Sequence, residues 1–262
     1  MRIEQAINFV QAHGDTVAQA RLAYLLDQTP PPATIVEQLL TKQHPDGGWA
    51  PFWAPHYASL DATCFRLAQA EALGLVPSSP AAQRALQFLV MRQAANGTWS
   101  ETPPSGTALP RWLTTEGSET VCYLTANCGF WLTLFPDARA AVERAATFLD
   151  HQIRNDGGLP GPPHATWLAL GIWHTTGDVR RRQAAEVSLQ QHVASLSASN
   201  LAWALTCFAI AGVDEDETLI NTMRSRLQTL QRADGGWSSD DGAAGDTHTT
   251  LEALRVLQAS AQ

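Results

Sequence analysis

The chain has 262 residues, 45% of them hydrophobic and 16% charged, with a net charge of -8. That apolar content is enough for one large core or two small ones. No basic run is present, which argues against nucleic acid as a partner, and no apolar stretch approaches the ~20 residues that span a bilayer.

The opening MRIEQAINFV alternates charged and apolar groups and lacks the apolar core of a secretory leader. Ala6–Val10 then leads through Gln11-Ala-His-Gly14-Asp15 into a second helical stretch, Thr16–Leu26. The next amphipathic stretch carries Ile35, Leu39 and Leu40 and ends in Gln43-His-Pro-Asp46-Gly47-Gly48-Trp49. Leu86, Phe88, Leu89 and Met91 precede Gln93-Ala-Ala-Asn96-Gly97-Thr98-Trp99. Phe148 and Leu149 precede Gln152-Ile-Arg-Asn-Asp156-Gly157-Gly158-Leu159. Arg181–Ser195 leads into SNLAWALTCFAIAG at 199–212 without such a turn. Leu227 and Leu230 precede the last, Gln231-Arg-Ala-Asp234-Gly235-Gly236-Trp237.

A turn that returns every ~40–60 residues marks one supersecondary unit used several times. Before each turn the apolar residues have helical spacing with a polar opposite face. After it comes a helix that is apolar nearly all round, such as HATWLALGIW at 164–173, and such a helix is buried on all sides. Each unit is therefore an outer amphipathic helix, a glycine turn and an inner buried helix. Four units carry the turn and two are degenerate. Six hairpins in series close into an all-α, single-domain α/α toroid over residues 1–262. Inner helices are predicted near 15–27, 57–74, 117–134, 163–177, 199–212 and 246–259. The long loops 100–116 and 238–245 are candidates to carry function. The acidic run Asp214-Glu215-Asp216-Glu217 has the look of an acidic metal-binding motif but reads first as the solvated start of an outer helix, where carboxylates complement the dipole. Cys64, Cys122, Cys128 and Cys207 lie in apolar helical stretches and read as reduced thiols of a cytoplasmic protein.

Consecutive hairpins place the inner helices parallel, with their positive N-terminal ends on one rim that favours an anionic group such as a diphosphate. Below the rim, Phe130, Trp131, Trp167, Trp203 and Phe208 are expected either to line a cavity for an apolar chain, where indole faces stabilise a cation, or to fill the core.

The Q-x2-3-[DN]-G-x-[WL] turns followed by buried helices resemble the repeats of squalene–hopene cyclases, class II terpene cyclases and protein prenyltransferase β subunits, over nearly the whole chain. The resemblance implies an isoprenoid-processing enzyme that cyclises or transfers a prenyl chain. A non-catalytic toroid that binds a lipid or a partner protein is the rival reading, and a glycan-processing toroid the third. Three constellations carry candidate chemistry. Cys122-Tyr123 and His164 fall seven residues before Gly129 and Gly171, for Cys122 and His164, and match the prenyltransferase zinc ligands. The carboxylate position is Thr120, so Glu119 would have to serve, and Arg111 is the nearest candidate for a diphosphate clamp. This implies zinc as cofactor, and a helical partner subunit such as those β subunits have. Ser59-Leu60-Asp61-Ala62-Thr63 aligns with the D-x-D-D-T element of class II cyclases, keeping only the middle position, Asp61, which reads as the proton donor or as a helix cap. Asp246-Thr247-His248 repeats that rhythm at the last inner helix, as an acid–base pair or metal ligands facing the rim, or as a cap.

Overall fold

The computed structural model describes residues 2–114, 118–214 and 217–258. Twelve helices follow in order among them: α1 (Ile3–His13), α2 (Thr16–Asp27), α3 (Ala33–Leu40), α4 (Leu60–Glu71), α5 (Pro80–Met91), α6 (Ser118–Leu132), α7 (Arg139–Asp150), α8 (His164–Thr176), α9 (Val179–His192), α10 (Ala198–Ala211), α11 (Thr218–Thr229) and α12 (Asp246–Gln258). No β-strand occurs among the described residues, only two isolated bridges that link Trp49 to Gln43 and to Ser59. The even-numbered helices form the inner ring and the odd-numbered ones sheathe it. Along the ring α4 packs on α6, α6 on α8, α8 on α10, α10 on α12 and α12 on α2, while α3 bridges α2 and α4. The expected α/α toroid is thus present, with each inner helix within three residues of its predicted bounds.

Helices α6 and α8 are the most deeply buried because their sequences offer no polar face: every residue from Leu124 to Leu132 of α6 and from Ala165 to Trp173 of α8 is buried. The glycine turns lock each unit to the next. Gly47, Gly97, Gly157 and Gly235 all have positive φ, between +82° and +96°. A Cβ on Gly157 would lie 2.1 Å from the Ala184 carbonyl oxygen of α9, so only glycine admits both the backbone and the close approach. Three of the turn glutamines staple the same junction: Gln43 Nε2 donates to the Gly47 and Ala81 carbonyls, Gln93 Nε2 to those of Gly97 and Ala141, and Gln231 Nε2 to those of Gly235 and Arg2. The last of these joins the sixth unit to the first, and α12 packs on α1, so the ring closes through its own chain ends. In the acidic run, Glu217 pairs with Arg182 of α9; Glu215 and Asp216 lie outside the described residues.

Candidate active site at the mouth of the ring

Four inner helices share one device in their N-terminal halves. The backbone N–H after each glycine turn donates to a threonine hydroxyl: Trp49 to Thr63 (3.0 Å), Trp99 to Thr125 (3.3 Å), Leu159 to Thr166 (3.0 Å) and Trp237 to Thr250 (3.1 Å). These bonds fix the rotation of each helix about its axis. Two positions before the threonine stand Asp61, Tyr123, His164 and His248, which all turn to the mouth. One helical turn deeper on that face lie Phe65, Asn127 and Glu252. Their contacts confirm the shared face. Tyr123 and Asn127 reach Asp61, while the His248 ring sits 6.4 Å from Phe65 and its Nδ1 2.8 Å from Arg21. Phe65 is 53% exposed although it lies on an inner helix, so the lumen is open beside it.

Asp61 does not cap its helix. Ser59 does, accepting from the Ala62 N–H at 3.2 Å. The Asp61 carboxylate instead accepts the Tyr123 hydroxyl at 2.7 Å, the Trp112 indole N–H at 3.3 Å and the Asn127 amide at 3.4 Å. Burial raises its carboxyl above the ordinary range, and these three hydrogen bonds offset only part of the shift. The nearby Glu101 accepts from the Ser59 hydroxyl (2.6 Å) and the Asp61 backbone N–H (3.1 Å). Glu101 therefore takes the positive end of α4 for itself and denies it to the Asp61 side chain. Burial raises the Glu101 carboxyl too. The lip above is aromatic: Trp53 stands edge-on to Trp112 at 5.7 Å and to Phe52 at 4.9 Å. Arg111, exposed and next to Trp112, is on this lip.

Across α6 from Asp61 a second cluster forms. His164 opens α8, with its ring 5.1 Å from Trp203 and 4.7 Å, edge-on, from Trp167. Its Nε2 lies 2.9 Å from Asn200 Oδ1; Asn200 Nδ2 donates to Asp240 at 3.2 Å, and the Ser197 hydroxyl donates to the same carboxylate at 2.6 Å. Burial lowers the His164 pKa, and the Asn200 contact and Asp240 charge offset only part of that. His248 is also lowered, by desolvation against its neighbours and by the Arg21 guanidinium, although part of its ring surface stays exposed.

Several expected roles change. Cys122 lies one residue before the mouth position, turned about 100° around α6. It has no exposed surface, and burial together with Glu119 pushes its thiol up to about 11. Glu119 packs beside Gly161, and among the described residues no three His, Cys, Asp or Glu side chains converge on one point. Glu119, Cys122 and His164 therefore do not fit zinc. Asp246 is structural: one carboxylate oxygen pairs with Arg232 and the other accepts the Ser239 N–H at 2.8 Å. Burial would raise its pKa, but these partners hold it below the usual range, so it is no proton donor. Trp131, Trp167, Phe208 and Phe130 are buried in the core, at 3% exposure or less; Trp203 alone of the five stays partly accessible. At the opposite end of the ring a polar cavity of about 380 Å³ opens between α2, α4 and α12, lined by Arg21, Tyr24, Glu71, Glu252 and Arg255.

No protein-family model matches the chain, and no curated protein matches it. Among solved structures it is similar to a protein from Actinoplanes, at 20% identity and TM-score 0.65, over 99% of this chain and 98% of that one. It is also similar to the type II terpene cyclase MstE from Scytonema. A variant of that enzyme in complex with its substrate, geranylgeranyl dihydroxybenzoate, matches at 15% identity and TM-score 0.63, over 97% of this chain and 95% of that one. The apo enzyme matches at 16% identity and TM-score 0.61, over 99% of each chain. At such identities the likeness shows the fold, a terpene-cyclase toroid.

Proposed function

We propose that this chain is a cyclase of the class II type, which protonates a prenylated small molecule from Asp61 and closes its rings without a metal ion. The observation that carries the reading is the Asp61 environment: a carboxyl raised by burial, aimed into an open lumen and held by Tyr123, Trp112 and Asn127. Such a carboxyl keeps its proton nearer neutral pH and can give it to the terminal double bond, or epoxide, of a polyene. As the proton leaves, the three donors stay in place and stabilise the new carboxylate. The indoles of Trp53, Trp112 and Trp203 offer faces to a carbocation. The whole-chain likeness to a terpene cyclase that holds a prenylated benzoate supports the substrate class. Four free, buried cysteines suit a protein that works in the cytoplasm. Prenyl transfer by a zinc thiolate has no support, since its ligands lie apart and Cys122 is sealed.

One observation favours the rival, a toroid that binds a lipid without reacting it: the sealing of Trp131, Trp167 and Phe208 leaves the lumen open chiefly beside Phe65. The experiment is conversion of geranylgeranyl dihydroxybenzoate or geranylgeranyl diphosphate, followed by mass spectrometry, in wild type and Asp61→Asn. The variant is expected to lose at least about 10²-fold in rate, and EDTA to leave the wild type unchanged. Binding of these compounds with no conversion would favour the rival, and full activity in Asp61→Asn would remove the acid.

A further inference from the structure

We infer that His164 is the base that ends the reaction, taking a proton from the last carbocation on its Nδ1. The inference rests on the cyclase reading above and adds to it a second reacting residue, on a different helix from the acid.

The geometry fixes which nitrogen is available. Asn200 Oδ1 has only lone pairs to offer, so the contact at 2.9 Å requires the proton on His164 Nε2. The amide of Asn200 is itself held in that orientation, because its Nδ2 must donate to Asp240. Asp240 is anchored in turn by the Ser197 hydroxyl. The chain Asp240–Asn200–His164 leaves Nδ1 as the unprotonated nitrogen, and Nδ1 makes no hydrogen bond among the described residues. It is also not among their buried polar atoms that lack a partner. Its lone pair is therefore free at an accessible site. Burial keeps the imidazole neutral at pH 7, the form a base needs.

The surroundings suit a cation. Trp203 lies against one face of the imidazole and Trp167 meets it edge-on, and the two indoles are 5.3 Å apart. Trp203 is partly accessible, so a cation at this corner would meet an indole face and a basic nitrogen together. Asp61 stands at the same level two helices away, on α4, with Tyr123 of α6 between them. A polyene protonated at Asp61 and extended across the mouth brings its far carbons to His164. There a C–H bond next to the cationic carbon breaks, its electron pair becomes the new C=C bond, and the proton passes to Nδ1. The imidazolium releases that proton to water at the mouth, and water re-protonates Asp61. The net change is an isomerisation, with no other reactant.

The test compares wild type, His164→Phe and Asn200→Leu on the same prenylated probes. His164→Phe keeps a ring against Trp203 but has no basic nitrogen. It is expected to go on consuming substrate in an Asp61-dependent way while the wild-type alkene falls at least about tenfold as a share of product, replaced by other alkenes or by alcohols from water capture. Asn200→Leu is expected to give an intermediate mixture. A wild-type product distribution from His164→Phe would overturn the assignment. The second measurement needs no turnover: ¹⁵N spectra of the wild-type imidazoles at pH 7, with the His164 signal identified by its loss in His164→Phe. A neutral ring protonated at Nε2 is expected, and mixed tautomers in Asn200→Leu. An imidazolium, or a ring protonated at Nδ1, would overturn the base even if the probes are never converted. Normal turnover lost in Asp61→Asn but indifferent to His164 would leave the cyclase reading standing and remove only this inference.

Discussion

Helices α6, α8 and α10 meet through rings and aliphatic groups, whereas α12, α2 and α4 meet through ions. In the first half, Phe130, Trp131, Trp167 and Phe208 are sealed between neighbouring helices. In the second, Arg21 of α2 pairs with Glu252 of α12, and Arg255 of α12 holds Glu71 of α4 by two bonds of 2.5 and 2.6 Å. The open space follows the ions: Phe65 faces the lumen, and the polar cavity lies between the same three helices. The difference teaches how a small ring can be both stable and hollow. Apolar packing to native density leaves no room for a ligand. Charged side chains keep neighbouring helices apart and hold water-accessible space between them. The acid Asp61 stands on α4 where the two halves meet, with the sealed half behind it through Tyr123 and the open half in front.

The strongest way to break this comparison is to truncate one phenylalanine in each half. Phe208→Ala removes a ring with 1% exposure and should cost about 3–5 kcal/mol. Phe65→Ala removes one that already faces the lumen and should cost about 1 kcal/mol or less. Urea unfolding of both variants checks this. Equal costs would mean that the lumen beside Phe65 is closed in solution.

The ionic half is tested by Glu252→Gln, which leaves the Arg21 guanidinium buried without its counter-charge. A loss of about 3 kcal/mol is expected, because the cost of a lone buried charge exceeds the worth of the pair. The double change Arg21→Met with Glu252→Leu should recover most of it. A single variant as stable as the wild type would show that water reaches Arg21 freely.

The limits of the helices were legible because each depends on local signals: a glycine at positive φ, an apolar stretch, a capping serine or aspartate. What faces the mouth was not. Cys122 and Tyr123 differ by one residue, and Gly129 and Gly171 are misleading landmarks for the choice. They mark close approaches between helices, Gly129 against Ile172 and Ala145, Gly171 against Phe130 and Ala211, and say nothing of rotation. The threonine in the N-terminal half of the inner helix was the usable signal, since Thr63, Thr125, Thr166 and Thr250 each stand two residues after a mouth residue. Glu101 and Asp240 were legible only as members of the two long loops singled out as candidates, and Asn200 not at all. Two lie in loops and one on α10, which has no threonine in its first turn, and each matters only through a partner about 40 residues away: Ser59, His164 and Asn200. The sealed aromatics were undecided in the sequence, because an inward-facing Trp131 and a wedged one have the same periodicity.

The smallest expected effect has the opposite sign, and it separates the two buried carboxyls by pH. The Asp61 carboxyl is raised by burial in the folded state. The fold therefore favours its protonated form, and that contribution is complete at acid pH. It is lost as pH rises from the ordinary aspartate value of ~3.9 through the raised folded value. Glu252 runs the other way. Burial alone would raise it, but Arg21, His248 and Arg255 hold it below the ordinary range. Its contribution is present above the ordinary glutamate value of ~4.3 and is lost as pH falls through the depressed one. Asp61→Asn should therefore unfold at a slightly higher temperature than wild type at pH 7, where Glu252→Gln unfolds at a lower one. Both differences should shrink on acidification towards pH 4. Melting curves of the three proteins at pH 4, 5.5 and 7 check the signs. If Asp61→Asn is less stable than wild type at pH 7, Asp61 is a stabilising carboxylate like Glu252, and the open half of the ring holds no poised acid.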